Sequence, residues 1–154
     1  MPIRRICLAA AAAAVLSIMS AGVVSAKMPP GAFLTKAVAT PSELADLVRS
    51  DRVTAMRYSK HYRMSPESVA AYFEEHLTVS TIKKTQAYTV YFTAKNGRIM
   101  AHQKTLKAGT RIFQTADGVP VIILQCGNPL GTTLPKAISK VESKTETLPT
   151  QPKA

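Results

Sequence analysis

The apolar residues of this chain change their period once, and that change limits the folds open to it. From Leu44 to Leu77 they recur at helical spacing. Leu44, Leu47 and Val48 form one stripe, and Val69, Tyr72, Phe73 and Leu77 form a second. Each stripe has its own start signal. Thr40-Pro41-Ser42-Glu43 offers a capping hydroxyl, a proline at the first helical position and a glutamate able to reach back to the cap, and Ser65-Pro66-Glu67 repeats the pattern. Glu67, Glu74 and Glu75 fall off the apolar face and are expected in water. From Thr85 the period becomes two: Tyr88, Val90 and Phe92 lie on one face of a strand, and Asn96-Gly97 follows as a hairpin signal, both residues tolerating the positive φ of a type I′ turn. Arg98 to Lys104 is the return strand, with Ile99 and Ala101 as its inward residues. Arg111 to Thr115 is a third strand, Asp117-Gly118 marks another hairpin, and Val119 to Gln125 is a last strand apolar enough to be central or covered on both sides. The expected fold class is α+β: two N-terminal helices followed by a four-stranded, mainly antiparallel meander sheet in a small single domain.

The ends of the chain follow other rules. Arg4 and Arg5 precede an Ala-rich, uncharged stretch from Ile6 to Val24, and Val24-Ser25-Ala26 supplies the small residues that signal peptidase reads. Residues 1–26 are therefore expected to be a signal peptide cleaved before Lys27, giving a periplasmic or secreted protein. The alternative is an uncleaved membrane anchor, because the stretch approaches the roughly 20 residues of a bilayer span. Cys7 stands at the wrong end of that stretch for lipidation, and the hydroxyl residue that precedes a twin-arginine pair is missing. Residues 27–40, with Met28-Pro29-Pro30-Gly31, are expected to be a leader, residues 41–130 the α+β domain, and residues 131–154 a disordered tail rich in Thr, Ser, Lys, Glu and Pro.

The helix opening His61-Tyr62-Arg63-Met64-Ser65-Pro66, and Gly118-Val119-Pro120-Val121 running into Cys126-Gly127-Asn128-Pro129-Leu130, resemble small exported bacterial proteins of uncharacterised function. The resemblance supports the domain boundaries and implies no activity.

Cys126 is the cysteine that remains after cleavage at Lys27, and an unpaired thiol in an oxidising compartment invites three accounts. It is a small buried apolar side chain, a disulfide partner for another chain, or a nucleophile activated by His61, His76 or His102. The histidine spacings match no zinc motif, so no metal is expected, and no cofactor motif stands in the sequence, so no cofactor is expected either.

Charge supplies the remaining clue. The formal net charge is +11, of which Arg4 and Arg5 carry two, leaving +9 from Lys27 onward. Arg49, Arg52, Arg57, Lys60 and Arg63 crowd the segment joining the two helices, with Tyr58 and Tyr62 interleaved. Such a surface favours anionic partners. It is also what an ordinary solubilising surface carries. The expected function is that of a non-catalytic envelope binding module for an anionic polymer, a membrane surface or a protein partner. A thiol-dependent enzyme using Cys126 and a histidine is the alternative. Nucleic-acid binding through a helix-turn-helix-like pair enters only if the chain is not exported, because the basic connection is far longer than that motif uses. The second and third strands expose polar faces, so strand addition by a partner is also open.

Overall fold

The computed structural model describes residues 27–136. The expected signal peptide and most of the expected disordered tail lie outside those residues. The fold is α+β, with three helices and five strands. Helix α1 spans Pro41–Ser50, α2 Arg52–Tyr62 and α3 Pro66–His76; the strands are β1 (Leu77–Thr81), β2 (Gln86–Thr93), β3 (Ile99–Leu106), β4 (Arg111–Thr115) and β5 (Pro120–Ile123).

The caps of α1 and α3 sit where their start signals place them. Thr40 Oγ1 accepts from Glu43 N–H at 3.1 Å, and the Glu43 carboxylate accepts from the N–H of Ala39 at 2.6 Å, one residue before the cap. Ser65 Oγ accepts from Ser68 N–H at 3.2 Å. Leu44, Ala45, Leu47 and Val48 bury the inner face of α1, and Val69, Ala70 and Phe73 that of α3. The two helices pack mainly against each other.

Two expectations are corrected. The basic connection between two helices is itself a helix, α2, so the described residues contain three. Its inner face is Thr54, Tyr58 and Tyr62 at i, i+4 and i+8, two tyrosines and a threonine in place of an aliphatic stripe. Asp51 starts it, accepting from Thr54 N–H at 2.8 Å, and Arg63 ends it in the left-handed conformation at φ 56°. The single four-strand meander is also replaced by two sheets. β2 and β3 form a separate antiparallel hairpin, while β1, β4 and β5 form a three-stranded sheet in the order β1-β4-β5. Leu77, the last residue of the α3 stripe, caps that helix and begins β1, so the chain passes from helix to strand without a loop. β1 then pairs with β4 across the inserted hairpin, Leu77 opposite Thr115 and Thr81 opposite Arg111. A strand beginning at a helix's last apolar residue shows no period of its own.

The largest cluster of buried side chains joins all three helices to β4 and β5 through Tyr58, Phe73, Phe113 and Ile122. Phe33, Leu34 and Val38, from the stretch expected to be a leader, are buried in it. A second cluster of Ile82, Val90, Leu106, Ile112 and Ile123 holds the β2–β3 hairpin to the three-stranded sheet. Phe33 and Leu34 are held by the turn that follows β5. Both of their N–H groups donate to Cys126 O, at 3.0 and 3.2 Å, and Phe33 N–H also reaches Asn128 Oδ1 at 3.0 Å. That turn also covers the outer edge of β5, where Ile123 N–H donates to Asn128 O and Leu130 N–H to Val121 O.

Candidate anion-binding groove

The five basic residues singled out in the sequence do not share a face. Arg49 is engaged in ion pairs: its guanidinium donates to Glu67 at 3.1 Å and Glu74 at 2.9 Å on α3, and lies 3.6 Å from Asp46. These hydrogen bonds, that to Glu74 first, raise its pKa further above the ordinary arginine value. The network clips α1 to α3 and offers little charge to a ligand. Arg57 faces the fold, its Nη1 donating to the carbonyls of Ala32 and Phe33 at 3.0 and 3.1 Å. Arg52 is exposed near the start of α2, and among the described residues its side chain makes no hydrogen bond or ion pair.

Lys60 and Arg63 differ from these. Both border a groove of about 620 Å³ at the C-terminal end of α2, whose opposite wall is the β2–β3 hairpin with Tyr91 and Arg98 to Ala101, and whose end is closed by Thr132 and Thr133. Arg98 thus joins Lys60 and Arg63, and among the described residues no carboxylate lines the groove. Its position was visible in the sequence, directly after the Asn96-Gly97 turn, but only the folding of the hairpin against α2 brings it to the other two. Tyr91 was legible as a strand residue opposite in face to Tyr88, Val90 and Phe92. Thr132 and Thr133 carried no signal at all.

His61 fixes the floor of the groove. Its ring lies 4.6 Å from that of Tyr91 and 5.6 Å from Phe33, and its Nε2 is 2.7 Å from the carbonyl oxygen of Gly131. A carbonyl only accepts, so the ring carries a proton on Nε2. Burial pushes the His61 pKa below its ordinary value, and the bond to Gly131 opposes that shift without cancelling it. His61 therefore ties α2 to the segment after β5 as a neutral ring.

The Cys126 thiol is half-buried beside the hairpin cluster. Burial raises its pKa, against the lowering effects of the Asn128 backbone and Lys104. A nucleophilic thiol needs the opposite shift and a base within reach. The histidines are engaged elsewhere: His61 with Gly131 O, His76 against the Tyr72 ring at 4.9 Å, and His102 against Phe92 at 4.9 Å. Among the described residues, no three His, Cys, Asp or Glu side chains converge as a metal site would require, and no helix is long and apolar enough to cross a membrane.

A second pocket, of about 530 Å³, is lined largely by apolar residues such as Met28, Val38, Ile123 and Leu124, and is bordered by Lys27, where the described residues begin. Among the described residues its cations are Lys27 and Arg111, against three in the groove.

Fold and groove together define a small α+β domain with a cation-lined cleft and no assembled catalytic group among the described residues. The chain belongs to the family DUF6777, a domain of unknown function, whose family model matches residues 31–149. The match begins beside Phe33 and Leu34. No curated protein and no solved structure matches the chain.

Proposed function

We propose that the protein is a non-catalytic module that binds an anionic partner in the groove between the end of α2 and the β2–β3 hairpin. It would do so outside the cytoplasm, after removal of residues 1–26. The observation that carries this reading is the division of labour among the basic residues. Arg49 and Arg57 are engaged within the fold, whereas Lys60 and Arg63 at the end of α2 and Arg98 on the hairpin meet at one concave surface without a carboxylate among its described lining residues. Charges gathered in a cleft focus the field there and attract ligands of opposite sign more strongly than the same charges spread over a convex surface. The raised Cys126 pKa and the other engagements of the histidines speak against the thiol-dependent alternative. Nucleic-acid binding loses support for a related reason. The turn at residues 63–65 makes α2 and α3 a compact helix pair, but α3, which would have to approach phosphates, exposes Glu67, Glu74 and Glu75.

Binding of polyphosphate, followed by titration calorimetry at rising ionic strength, tests the groove. Affinity should fall steeply with salt. Charge reversal at Lys60, Arg63 or Arg98 should weaken it by about tenfold each, corresponding to roughly 1.4 kcal/mol. The same reversal at Lys36, an exposed lysine outside the groove, should change it far less. Binding indifferent to salt and to these substitutions would rule the groove out.

A further inference from the structure

The β2–β3 hairpin has one partly filled edge and one open edge. On the β2 side, Tyr91 N–H donates to Pro129 O at 2.9 Å and Thr93 N–H to Gly31 O at 3.0 Å. Backbone groups alternate in direction along a strand. Since residues 91 and 93 face away from β3, their register partners Ala101 and Ile99 face away from β2. The N–H and C=O groups of Ile99, Ala101, Gln103 and Thr105 thus point outward, and among the described residues none of them makes a backbone hydrogen bond. The β2–β3 ladder runs for eight residues without a bulge, and β3 contains no proline. An edge of this kind is a template for another strand. The outer edge of β5 is covered by its own following turn. β1 is shorter, at five residues, and follows directly on Glu74 and Glu75.

Charge selects what could pair there. Between Glu75 and Asp117 the sequence contains no acidic residue, and Lys95, Arg98 and Lys104 lie on the hairpin. Ile99 and Ala101 belong both to the open edge and to the groove, so a strand added to β3 would run beside Arg98, Lys60 and Arg63. A second copy of this edge would bring Arg98 and Lys104 against like charges. The chain's own residues beyond 136 offer Glu142 and Glu146 against Lys140, Lys144 and Lys153, with no acidic excess.

We infer that the β3 edge accepts an extended, acidic segment of another polypeptide as an added strand, its carboxylates meeting Lys60, Arg63 and Arg98. This rests on the groove being the anion-binding surface, and it narrows the partner to a protein. Main-chain hydrogen bonds to residues 99–105 would supply affinity and the cations would supply selectivity.

The test uses a fluorescent alternating Thr-Glu peptide of about ten residues, long enough to span β3. It is compared with two isomers, one N-methylated on every threonine and the other on every glutamate. Only one set of peptide N–H groups can face β3. One isomer should therefore lose at least about tenfold in affinity while the other keeps it. Any other pattern among the three peptides overturns strand addition. In the protein, Gln103→Pro removes an outward N–H at an edge position where proline is tolerated. It should abolish peptide binding and leave polyphosphate binding intact, with circular dichroism verifying the fold. If that variant does not fold, the peptide isomers still decide. Polyphosphate binding with all peptides ignored would overturn the strand and leave the groove standing. Binding of phosphatidylglycerol vesicles with peptides ignored would assign the surface to a membrane instead. Failure of peptide, polyphosphate and vesicles alike would overturn both readings.

Discussion

A methyl group at position 127 would have no space. Gly127 is buried at φ +74°, and a Cβ there would stand 2.6 Å from the Tyr58 hydroxyl and within the van der Waals shell of Leu34. The glycine is therefore fixed by tertiary contact as well as by backbone conformation, and the Gly127-Asn128-Pro129 turn is more than a chain reversal. Tyr58 is fully buried and donates to Gly127 O at 2.6 Å, which fastens α2 to the turn holding Phe33 and Leu34. Burial raises its pKa well above the usual phenol value, so the proton stays available for that bond. Tyr58→Phe should cost about 1–3 kcal/mol in chemical denaturation, because it leaves a buried carbonyl without its donor. Unchanged stability would show that the carbonyl finds another partner. The sequence exposed Gly127 as a turn residue and Tyr58 only as an aromatic interleaved among cations. Their meeting across 69 residues of chain is tertiary information.

At the scale of elements, α2 shows what periodicity does not capture. Tyrosine and threonine have both polar and apolar parts, so a face built from Thr54, Tyr58 and Tyr62 weighs little on a hydrophobicity scale although all three are buried. What secures the helix start is Asp51, whose carboxylate accepts from Thr54 N–H and from the Thr35 hydroxyl. Partial burial works to raise the Asp51 pKa, but the bonds from Thr54 and Thr35 and the charge of Arg57 outweigh it and leave the pKa below the ordinary 3.8. A carboxyl that releases its proton more readily when folded stabilises the fold above its unfolded pKa, and loses that contribution as pH falls through its folded value. Asp51→Ala should therefore cost about 1 kcal/mol at neutral pH. The difference from the unsubstituted protein should shrink as pH is lowered below about 3.8, and urea melts across that range measure it. β1 has no sequence signature for a different reason: it begins at Leu77, the C-cap of α3, and the chain switches period there without a turn.

Over the whole molecule, helices, hairpin and C-terminal segment meet at His61. The neutral ring, donating to Gly131 O, keeps the groove's floor closed between α2 and the chain after β5. Because burial lowers its pKa, the folded protein binds this proton less readily than the unfolded chain does. The resulting stability is complete above the unfolded pKa near 6.5 and is lost as pH falls through the folded value. Thermal melts should show stability declining below about pH 6.5, and His61→Gln, which cannot titrate, should flatten that decline. An equal slope in both proteins would place the pH dependence elsewhere.

The order of helices before strands, the caps of α1 and α3, the places of the Asn96-Gly97 and Asp117-Gly118 turns and the basic balance of the chain were determined by the sequence alone, although Gly97 takes a positive φ and Asn96 does not, so the first turn is not the type I′ expected. Each depends on residues a few positions apart, or on composition. Three features were decided only by the tertiary structure: the pairing of β1 with β4 across the inserted hairpin, the use of Phe33 and Leu34 as core, and the separation of engaged arginines from those that line the groove. Each depends on contacts between distant parts of the chain. Residues that look alike in sequence, such as Arg57 and Arg63, acquire different partners only when those parts meet.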